Sequence, residues 1–173
     1  MTTFKFGPYP ITPTEIFYST RTTFGLVNLK PVTPGHVLLI PRRVVPRFAD
    51  LTTTEAHDLI TAAQRVGSVV EREYKGESLT ITIQDGPAAG QTVPHVHIHV
   101  MPRRKGDWAD NDEIYPEINR KEGELNQTLK TRRVDADEDR KPRSQKEMAE
   151  EASKLRPFFT QFSIDEGGSS IWE

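Results

Sequence analysis

Hydrophobic residues along the chain follow two spacings, and each spacing predicts a different kind of element. Residues 78–84 and 93–101 alternate between apolar and polar side chains with a period of two, which is typical of β-strands. Residues 23–29 and 36–40 are runs of β-forming residues separated by a turn that contains proline and glycine. The pattern therefore predicts four strands, and residues 85–90 form a glycine-bearing loop between the last two.

Helical spacing appears in two other segments, each introduced by the signature of a capping box. Residues 52–55 have the sequence Thr-Thr-Thr-Glu, and apolar residues then recur at steps of three and four over residues 56–74. Residues 144–147 have the sequence Ser-Gln-Lys-Glu, and a shorter apolar periodicity follows over residues 148–159. Because a single long helix interrupts the strands, the pattern predicts an α+β fold with an antiparallel sheet.

The length of 173 residues favours one domain, and its polar residues are unevenly distributed. We expect the core domain to occupy residues 1–119. Residues 120–143 carry charges of both signs and few apolar side chains, so they are predicted to be a disordered insert. Residues 144–164 should form a C-terminal helix that packs on the core, and residues 165–173 a flexible tail.

Composition excludes several classes of function. The chain has 23 basic and 25 acidic residues and a formal net charge of -2, so no overall field attracts nucleic acid or an anionic membrane. It contains no cysteine, which removes disulfides, thiolate ligands and cysteine nucleophiles. Neither a signal-peptide pattern nor an apolar run of about 18 residues occurs. We therefore expect an intracellular protein, cytoplasmic and in some conditions nuclear, with no nucleic acid or membrane partner.

Histidine is concentrated in one predicted strand. Three of the five histidines, His95, His97 and His99, alternate with apolar residues, so the strand should place all three imidazoles on one face. A neutral imidazole can attack phosphorus, bind a metal or transfer a proton near neutral pH. The row therefore predicts nucleophilic or acid-base chemistry, with a zinc site of three histidines as the competing interpretation.

The residues just before the histidines indicate what such a site binds. Gly90, Gln91, Thr92 and Val93 bring a glycine, an amide, a hydroxyl and backbone N–H groups, which could hold phosphate oxygens. The same residues could equally form an ordinary connection between two strands. His36 follows a Pro-Gly turn at the start of a strand, where we expect it to be structural.

Residues 95–101, with the sequence His-Val-His-Ile-His-Val-Met, resemble the motif of the histidine triad (HIT) nucleotide hydrolases and transferases. Further segments are similar to the fragile-histidine (Fhit) branch of that family, the dinucleoside triphosphate hydrolases, and to its fungal members in particular. These segments are residues 4–7, 26–28, 30–38, 84–87, 90–93 and 111–115. The resemblance implies the HIT fold, an antiparallel sheet of about five strands that joins edge to edge with a second copy in a homodimer.

The resemblance also implies a reaction, the hydrolysis of P1,P3-bis(5'-adenosyl) triphosphate to AMP and ADP. His97 would attack the α-phosphorus, His99 and Gln84 would contact the phosphate and the bridging oxygen, and His95 would hold His97 in the correct tautomer. Phe6, Ile11, Leu26 and Leu38 would form an apolar slot for adenine beside Asn28, which would hold the ribose. The complete substrate-binding set implied by the resemblance is Phe6, Tyr9, Ile11, Leu26, Asn28, Leu38, Gly90, Gln91, Thr92, Val93 and Tyr115.

The same resemblance implies that Mg²⁺ or Mn²⁺ arrives with the substrate, with no dedicated protein ligands and no organic cofactor. Three alternatives remain open at this point. They are an adenosine phosphoramidase of the same family, a metal-dependent hydrolase that uses the three histidines, and a dinucleotide sensor with slow turnover.

Overall fold

The computed structural model describes residues 3–131 and 143–162. Its main layer is a five-stranded antiparallel sheet in the spatial order β3-β4-β5-β7-β6, and a separate hairpin of strands β1 and β2 precedes it. The strands are β1 (Phe4–Phe6), β2 (Tyr9–Ile11), β3 (Ile16–Ser19), β4 (Thr23–Val27), β5 (Val37–Pro41), β6 (Ser78–Ile83) and β7 (Ile98–Arg103). The α+β class and the antiparallel sheet are thus confirmed, while strands β1, β2 and β3, of three or four residues each, gave no recognised sequence pattern.

Helix α1 (Thr53–Glu73) covers one face of the sheet. It begins with the predicted capping box, in which the Thr52 side chain accepts from the Glu55 N–H and the Glu55 carboxylate accepts from the Thr52 N–H. Its own Val66 and Val70 are fully buried, as are Ile98 and Val100 of β7. Since successive side chains of a strand point to opposite faces, β7 presents His99 to the other face of the sheet.

The strand predicted at residues 93–101 begins later than expected. Strand β7 starts at Ile98, so His95 and His97 precede the regular ladder and only His99 lies within it. Pro94 has no N–H and cannot take part in a ladder on both sides, and the His95 N–H turns back to the Val93 carbonyl. The three histidines are buried, and only His99 belongs to the regular ladder.

The expectation of disorder from residue 120 is wrong over residues 120–131, because helix α2 (Ile114–Thr131) runs through them. Arg120 pairs with Glu117 and Glu124 at helical spacing, so the charges support the helix on its outer side. Leu125 and Leu129 of the same helix are buried. The remainder of the predicted insert, residues 132–142, and the tail at 165–173 lie outside the described residues.

Helix α3 (Gln145–Leu155) packs the C-terminal part of the chain onto β3, as expected. Its Ser144 cap forms the predicted capping box, and Met148, Ala152 and Leu155 are buried. The α-helical hydrogen bonding ends before Pro157, and a 3₁₀ segment, Arg156–Phe162, continues from there. Among the helices described, none combines the length and apolarity needed to cross a membrane.

Candidate active site

The site lies on the face of the sheet opposite α1, where the strands place polar and apolar side chains side by side. Leu26 of β4 pairs with Leu38 of β5, Leu38 pairs with His99 of β7, and His99 pairs with Thr82 of β6. Residues paired across antiparallel strands share a face, so an apolar surface runs directly up to the His99 imidazole. This register gives the site one apolar side and one polar side.

The His95 side chain is held entirely by backbone groups. Its Nδ1 accepts from the Gly7 N–H at 2.9 Å, so the ring carries its proton on Nε2, which lies 2.8 Å from the Pro41 carbonyl. Burial lowers the pKa of His95 to about 4, which keeps the ring neutral. Gly7 can make this approach because its φ is +58° and a Cβ there would come within 2.7 Å of Val93.

This anchoring places the His95 carbonyl 2.7 Å from Nδ1 of His97. A carbonyl only accepts hydrogen bonds, so Nδ1 of His97 carries a proton and, in the neutral ring, the lone pair is on Nε2. Phe6 packs edge-on against the His97 ring, with the ring centroids 4.9 Å apart. In the neutral ring, the backbone geometry thus leaves Nε2 as the His97 nitrogen that is chemically able to act as a nucleophile.

A second chain of contacts fixes the opposite tautomer arrangement in His99. The Val32 N–H donates to Nδ1 of His36 at 3.0 Å, so neutral His36 carries its proton on Nε2, and burial lowers its pKa to about 3. Nε2 of His36 lies 2.9 Å from Nδ1 of His99 and donates to it. His99 therefore carries its own proton on Nε2, next to the nucleophilic nitrogen of His97. His36 is more than structural support, since it determines which His99 nitrogen is a donor.

Glu122 of helix α2 is the group that faces these two nitrogens, and the sequence interpretation missed it. Its carboxylate oxygens lie 2.9 Å from Nε2 of His97 and 3.6 Å from Nε2 of His99, and the side chains of His97 and Glu122 are both 0% exposed. Burial disfavours charge on both groups, yet their opposite charges hold the pKa of Glu122 at about 2 and raise the pKa of His97. In this conformation the Glu122 carboxylate faces Nε2 of His97, and its charge favours the protonated ring.

Other residues of α2 occupy the polar groups around the histidines. The Gln84 amide donates to the side-chain oxygen of Asn119, and the Thr92 hydroxyl donates to the Glu122 carbonyl at 2.9 Å. Asn126 accepts from the Tyr9 hydroxyl at 2.8 Å and donates to the Thr92 carbonyl at 3.1 Å. Helix α2 thus covers the site.

The remaining expected site residues fall into two groups. Ile11, Leu26 and Leu38 are buried, and Leu38 is paired with His99. Asn28 lies against the His36 ring, and its oxygen accepts from the Lys30 N–H. The structure does not bring the others to the reacting atoms. The Gln91 amide accepts from the Gly86 N–H and donates to the Pro46 carbonyl, and the Gly90 N–H donates to the Pro87 carbonyl. Val93 packs on Gly7, and Tyr115 is 47% exposed at the start of α2.

A metal site of three histidines is not formed, because both nitrogens of His95 are bonded to the backbone. His97, His99 and Glu122 do bring ligand-type atoms within 4.8 Å of one another. However, the contact with His36 leaves the proton on Nε2 of His99, and a metal ligand needs a free lone pair there. The hydrogen bonds fit a nucleophile and a donor better than a pair of metal ligands.

We predict that the free energy of unfolding falls as the pH drops from 7.5 to 4.5. His36, His95 and His99 are buried as neutral rings with lowered pKa values, so below the unfolded value of about 6.5 the unfolded chain binds more protons. For His95, whose pKa falls to about 4, the loss is roughly 2–3 kcal/mol at pH 4.5. Urea unfolding across this range measures it. The exposed His57→Gln variant should show the same loss, and constant stability would contradict the prediction.

Fold and site define a class of small α+β domain. In this class, buried histidines near the start of a strand place two imidazole nitrogens side by side. A profile of the HIT domain matches residues 10–106 of the chain, more than half of its length. The chain therefore belongs to the HIT domain family, as its motif indicated.

The relatives narrow this family assignment. The chain is 54% identical over 156 residues to the bifunctional bis(5'-adenosyl)-triphosphatase/adenylylsulfatase FHIT of Arabidopsis thaliana, which covers 90% of this chain and 84% of that protein. It is 50% identical over 161 residues to the bis(5'-adenosyl)-triphosphatase of Dictyostelium discoideum, covering 93% and 96% respectively. The crystal structure of the C. elegans NitFhit protein matches with a TM-score of 0.71 and 42% identity, over 92% of this chain and 31% of that chain. The resemblance to the fragile-histidine branch is confirmed.

Proposed function

We propose that this protein is a bis(5'-adenosyl)-triphosphatase-type hydrolase, which cleaves P1,P3-bis(5'-adenosyl) triphosphate to AMP and ADP. One observation carries the proposal: the backbone leaves a lone pair on Nε2 of His97 and a proton on Nε2 of His99, and both atoms face the same point. A phosphate placed there meets a nucleophile and a hydrogen-bond donor together. The names of the relatives at 54% and 50% identity support the choice of substrate.

The reaction follows from these two tautomers. The lone pair on Nε2 of His97 attacks the α-phosphorus, the bond from phosphorus to the bridging oxygen breaks, and ADP leaves with that electron pair. The N–H on Nε2 of His99 stabilises the charge that develops on the departing oxygen, and the His95 carbonyl stabilises the cationic His97 adduct through Nδ1. Water then attacks the adduct, the P–N bond breaks to return the lone pair to His97, and AMP and a proton are released.

The apolar side of the site fits an adenine ring. Leu26 and Leu38 share the sheet face with His99, and Phe6 and Ile11 of the N-terminal hairpin belong to the same buried cluster. Asn28, which follows β4, would hold the ribose once its contact with His36 rearranges. These residues bind the adenosine whose phosphate His97 attacks.

A divalent cation, Mg²⁺ or Mn²⁺, enters as part of the substrate. Such ions prefer oxygen ligands, whereas the donors that surround the reacting point are mainly imidazole nitrogens. The cation therefore screens the polyphosphate and is held by its oxygens, while the protein supplies the nucleophile, the donor and the adenine slot. No organic cofactor has a part in this chemistry.

The test is a product assay with diadenosine triphosphate and adenosine phosphoramidate side by side. We expect AMP and ADP in equal amounts from the first substrate and slower release of AMP from the second. Faster turnover of the phosphoramidate would favour the phosphoramidase. Stoichiometric bound metal and loss of activity with a tight chelator in the presence of excess Mg²⁺ would favour the metal hydrolase, and tight binding with negligible turnover would favour the sensor.

Assembly into a homodimer through β6 completes the proposal. Strands β3 and β6 are the two edges of the described sheet, and β3 is buried along its length by the C-terminal segment. Strand β6 is half exposed, with Ile81 at 49% exposure, so its edge can pair with a second copy. Light scattering should give twice the mass of 19.6 kDa. The monomer mass at micromolar concentration would contradict the homodimer.

A cytoplasmic location stays a prediction of the sequence.

A further inference from the structure

We propose that helix α2 is a built-in inhibitor of the site, and that its Glu122 carboxylate occupies the place of the substrate's α-phosphate. The inference rests on the proposed function only for the identity of the phosphate that competes. The occupancy itself follows from the contacts between α2 and the histidines.

The first argument is chemical likeness. A carboxylate is an anion with two acceptor oxygens, and it meets the two nitrogens that we assign to phosphate: 2.9 Å to Nε2 of His97 and 3.6 Å to Nε2 of His99. The negative charge of Glu122 also raises the pKa of His97, which favours the protonated ring that cannot attack phosphorus. The contact therefore opposes the reaction mainly by filling the place of the phosphate.

The second argument is that a whole face of the helix matches the site. Asn119, Glu122 and Asn126 are spaced by three and four residues, so they lie on one side of α2. The Asn119 side chain accepts from Gln84, the Glu122 main chain accepts from Thr92, and the Asn126 side chain bonds Tyr9. Gln84, Thr92 and Tyr9 are residues that the family resemblance assigns to the substrate. The helix thus engages several substrate-binding groups at once.

The third argument is access. His97 is 1% exposed and His99 is 2% exposed under the helix. A dinucleotide cannot reach Nε2 of His97 while α2 stays in place, so catalysis requires the helix to move. The apparent affinity for any phosphate ligand is then reduced by the fraction of molecules in which α2 is displaced.

Features of α2 itself show that the closed position is not built for maximal stability. Within the described residues, neither carboxylate oxygen of Glu122 has a partner with the geometry of a normal hydrogen bond, although the group is fully buried. A buried ion pair with incomplete hydrogen bonding contributes little net stability. Gly123, the next residue, lies in the interior of the helix, where glycine is less favourable than alanine. The closed position therefore gains little from its central ion pair, so a phosphate can compete with Glu122 for the two histidines.

The experiment uses AMP as the probe and the full chain. Calorimetry should show that Glu122→Ala binds AMP about tenfold more tightly than the wild type, because no internal anion competes. The matched control is Glu124→Ala, which removes the same charge from the same helix two residues away, where Glu124 pairs with Lys30 and Arg120 outside the site. The control should bind AMP within about twofold of the wild type, as expected for a surface ion pair.

Hydrogen exchange of the wild type gives a second readout that does not depend on mutation. A ligand ordinarily protects the segments that cover it, but here AMP should accelerate exchange in residues 114–131 because it displaces α2. Slower or unchanged exchange in that segment at saturating AMP would overturn the inference.

Gly123→Ala tests the opposite direction. No described atom lies within 4 Å of the position that a Cβ would take there, so the alanine stabilises the helix without a clash. We expect AMP binding to weaken by about threefold, as a gain in helix propensity of roughly 0.5–1 kcal/mol implies. Unchanged binding in both Gly123→Ala and Glu122→Ala, or no AMP binding by any variant, would refute the inhibitor role.

These results are separable from the proposed function. If AMP displaces α2 and Glu122→Ala tightens binding while diadenosine triphosphate remains intact, the enzyme assignment fails and the inhibitor role stands. If the triphosphate is cleaved while α2 is protected by AMP, the assignment stands and the inhibitor role fails.

Discussion

His97→Asn should lower the turnover of diadenosine triphosphate by more than about a thousandfold, because it removes the nitrogen that forms the covalent adduct. Asparagine is the suitable replacement, since its amide can still donate to the His95 carbonyl in place of Nδ1 of His97. AMP affinity should stay within about tenfold of the wild type, because the adenine slot is untouched.

Locating the covalent adduct makes this prediction specific, and the quench must be alkaline because the P–N bond of a histidine adduct hydrolyses in acid. Mass spectrometry of wild-type protein quenched during turnover should locate an adenylyl group on His97. The exposed His57→Asn variant is the control and should retain full activity and the same adduct. An adduct on another residue, or full turnover by His97→Asn, would show that the nucleophile has been misassigned.

His99→Asn should lower turnover of diadenosine triphosphate by about a hundredfold, the usual cost of one hydrogen bond to a developing charge. Asparagine can keep an acceptor oxygen near Nδ1 of His99 for His36, while nothing replaces the N–H on Nε2. The loss of turnover thus measures the contribution of the N–H on Nε2, because the hydrogen bond from His36 that positions residue 99 is retained.

The leaving group provides the control for this second variant. A p-nitrophenyl ester of AMP releases an anion that needs little stabilisation, so His99→Asn should cleave it with a much smaller defect than it shows on the triphosphate. Equal defects on the two substrates would mean that His99 positions the phosphate and does not act on the departing oxygen.

The sequence predicted the main features of the fold because they rest on local patterns. The capping boxes at Thr52 and Ser144 are each complete within four residues, so propensity and hydrogen bonding agree there. The late start of β7 depends instead on Pro94, whose missing N–H outweighs the alternation of Val93 to Met101. Periodicity places side chains on faces, but it does not show where a ladder begins.

Helix α2 was missed because charge was taken as evidence of disorder. Ile114, Ile118, Leu125 and Leu129 are buried, and their spacings of four, seven and four residues fit one helical face. This helical spacing was present in the sequence, and it also showed a carboxylate at a position where an apolar residue is expected. Glu122 stands four residues after Ile118 and three before Leu125, so it occupies an apolar position on that face. A carboxylate in such a position is expected to meet a partner in the interior.

The tautomers could not be obtained from the sequence. They depend on the Gly7 and Val32 N–H groups, which meet His95 and His36 from other parts of the chain. Motif spacing identifies which residues carry the chemistry, whereas backbone contacts decide which nitrogen of each ring attacks or donates.

The bond from the Gly7 N–H to His95 joins residues 88 positions apart in the chain. Two other hydrogen bonds join residues still farther apart in the chain. The Tyr9 hydroxyl donates to Asn126 of α2 across 117 positions, and Arg156 of the C-terminal segment donates to the Ile16 carbonyl across 140 positions. Contacts of such long range form slowly, because the entropy of closing the loop is lost before the contact is gained. On refolding, the sheet and α1 should therefore form before α2 closes over the histidines, so the closed state of the site is the last to appear.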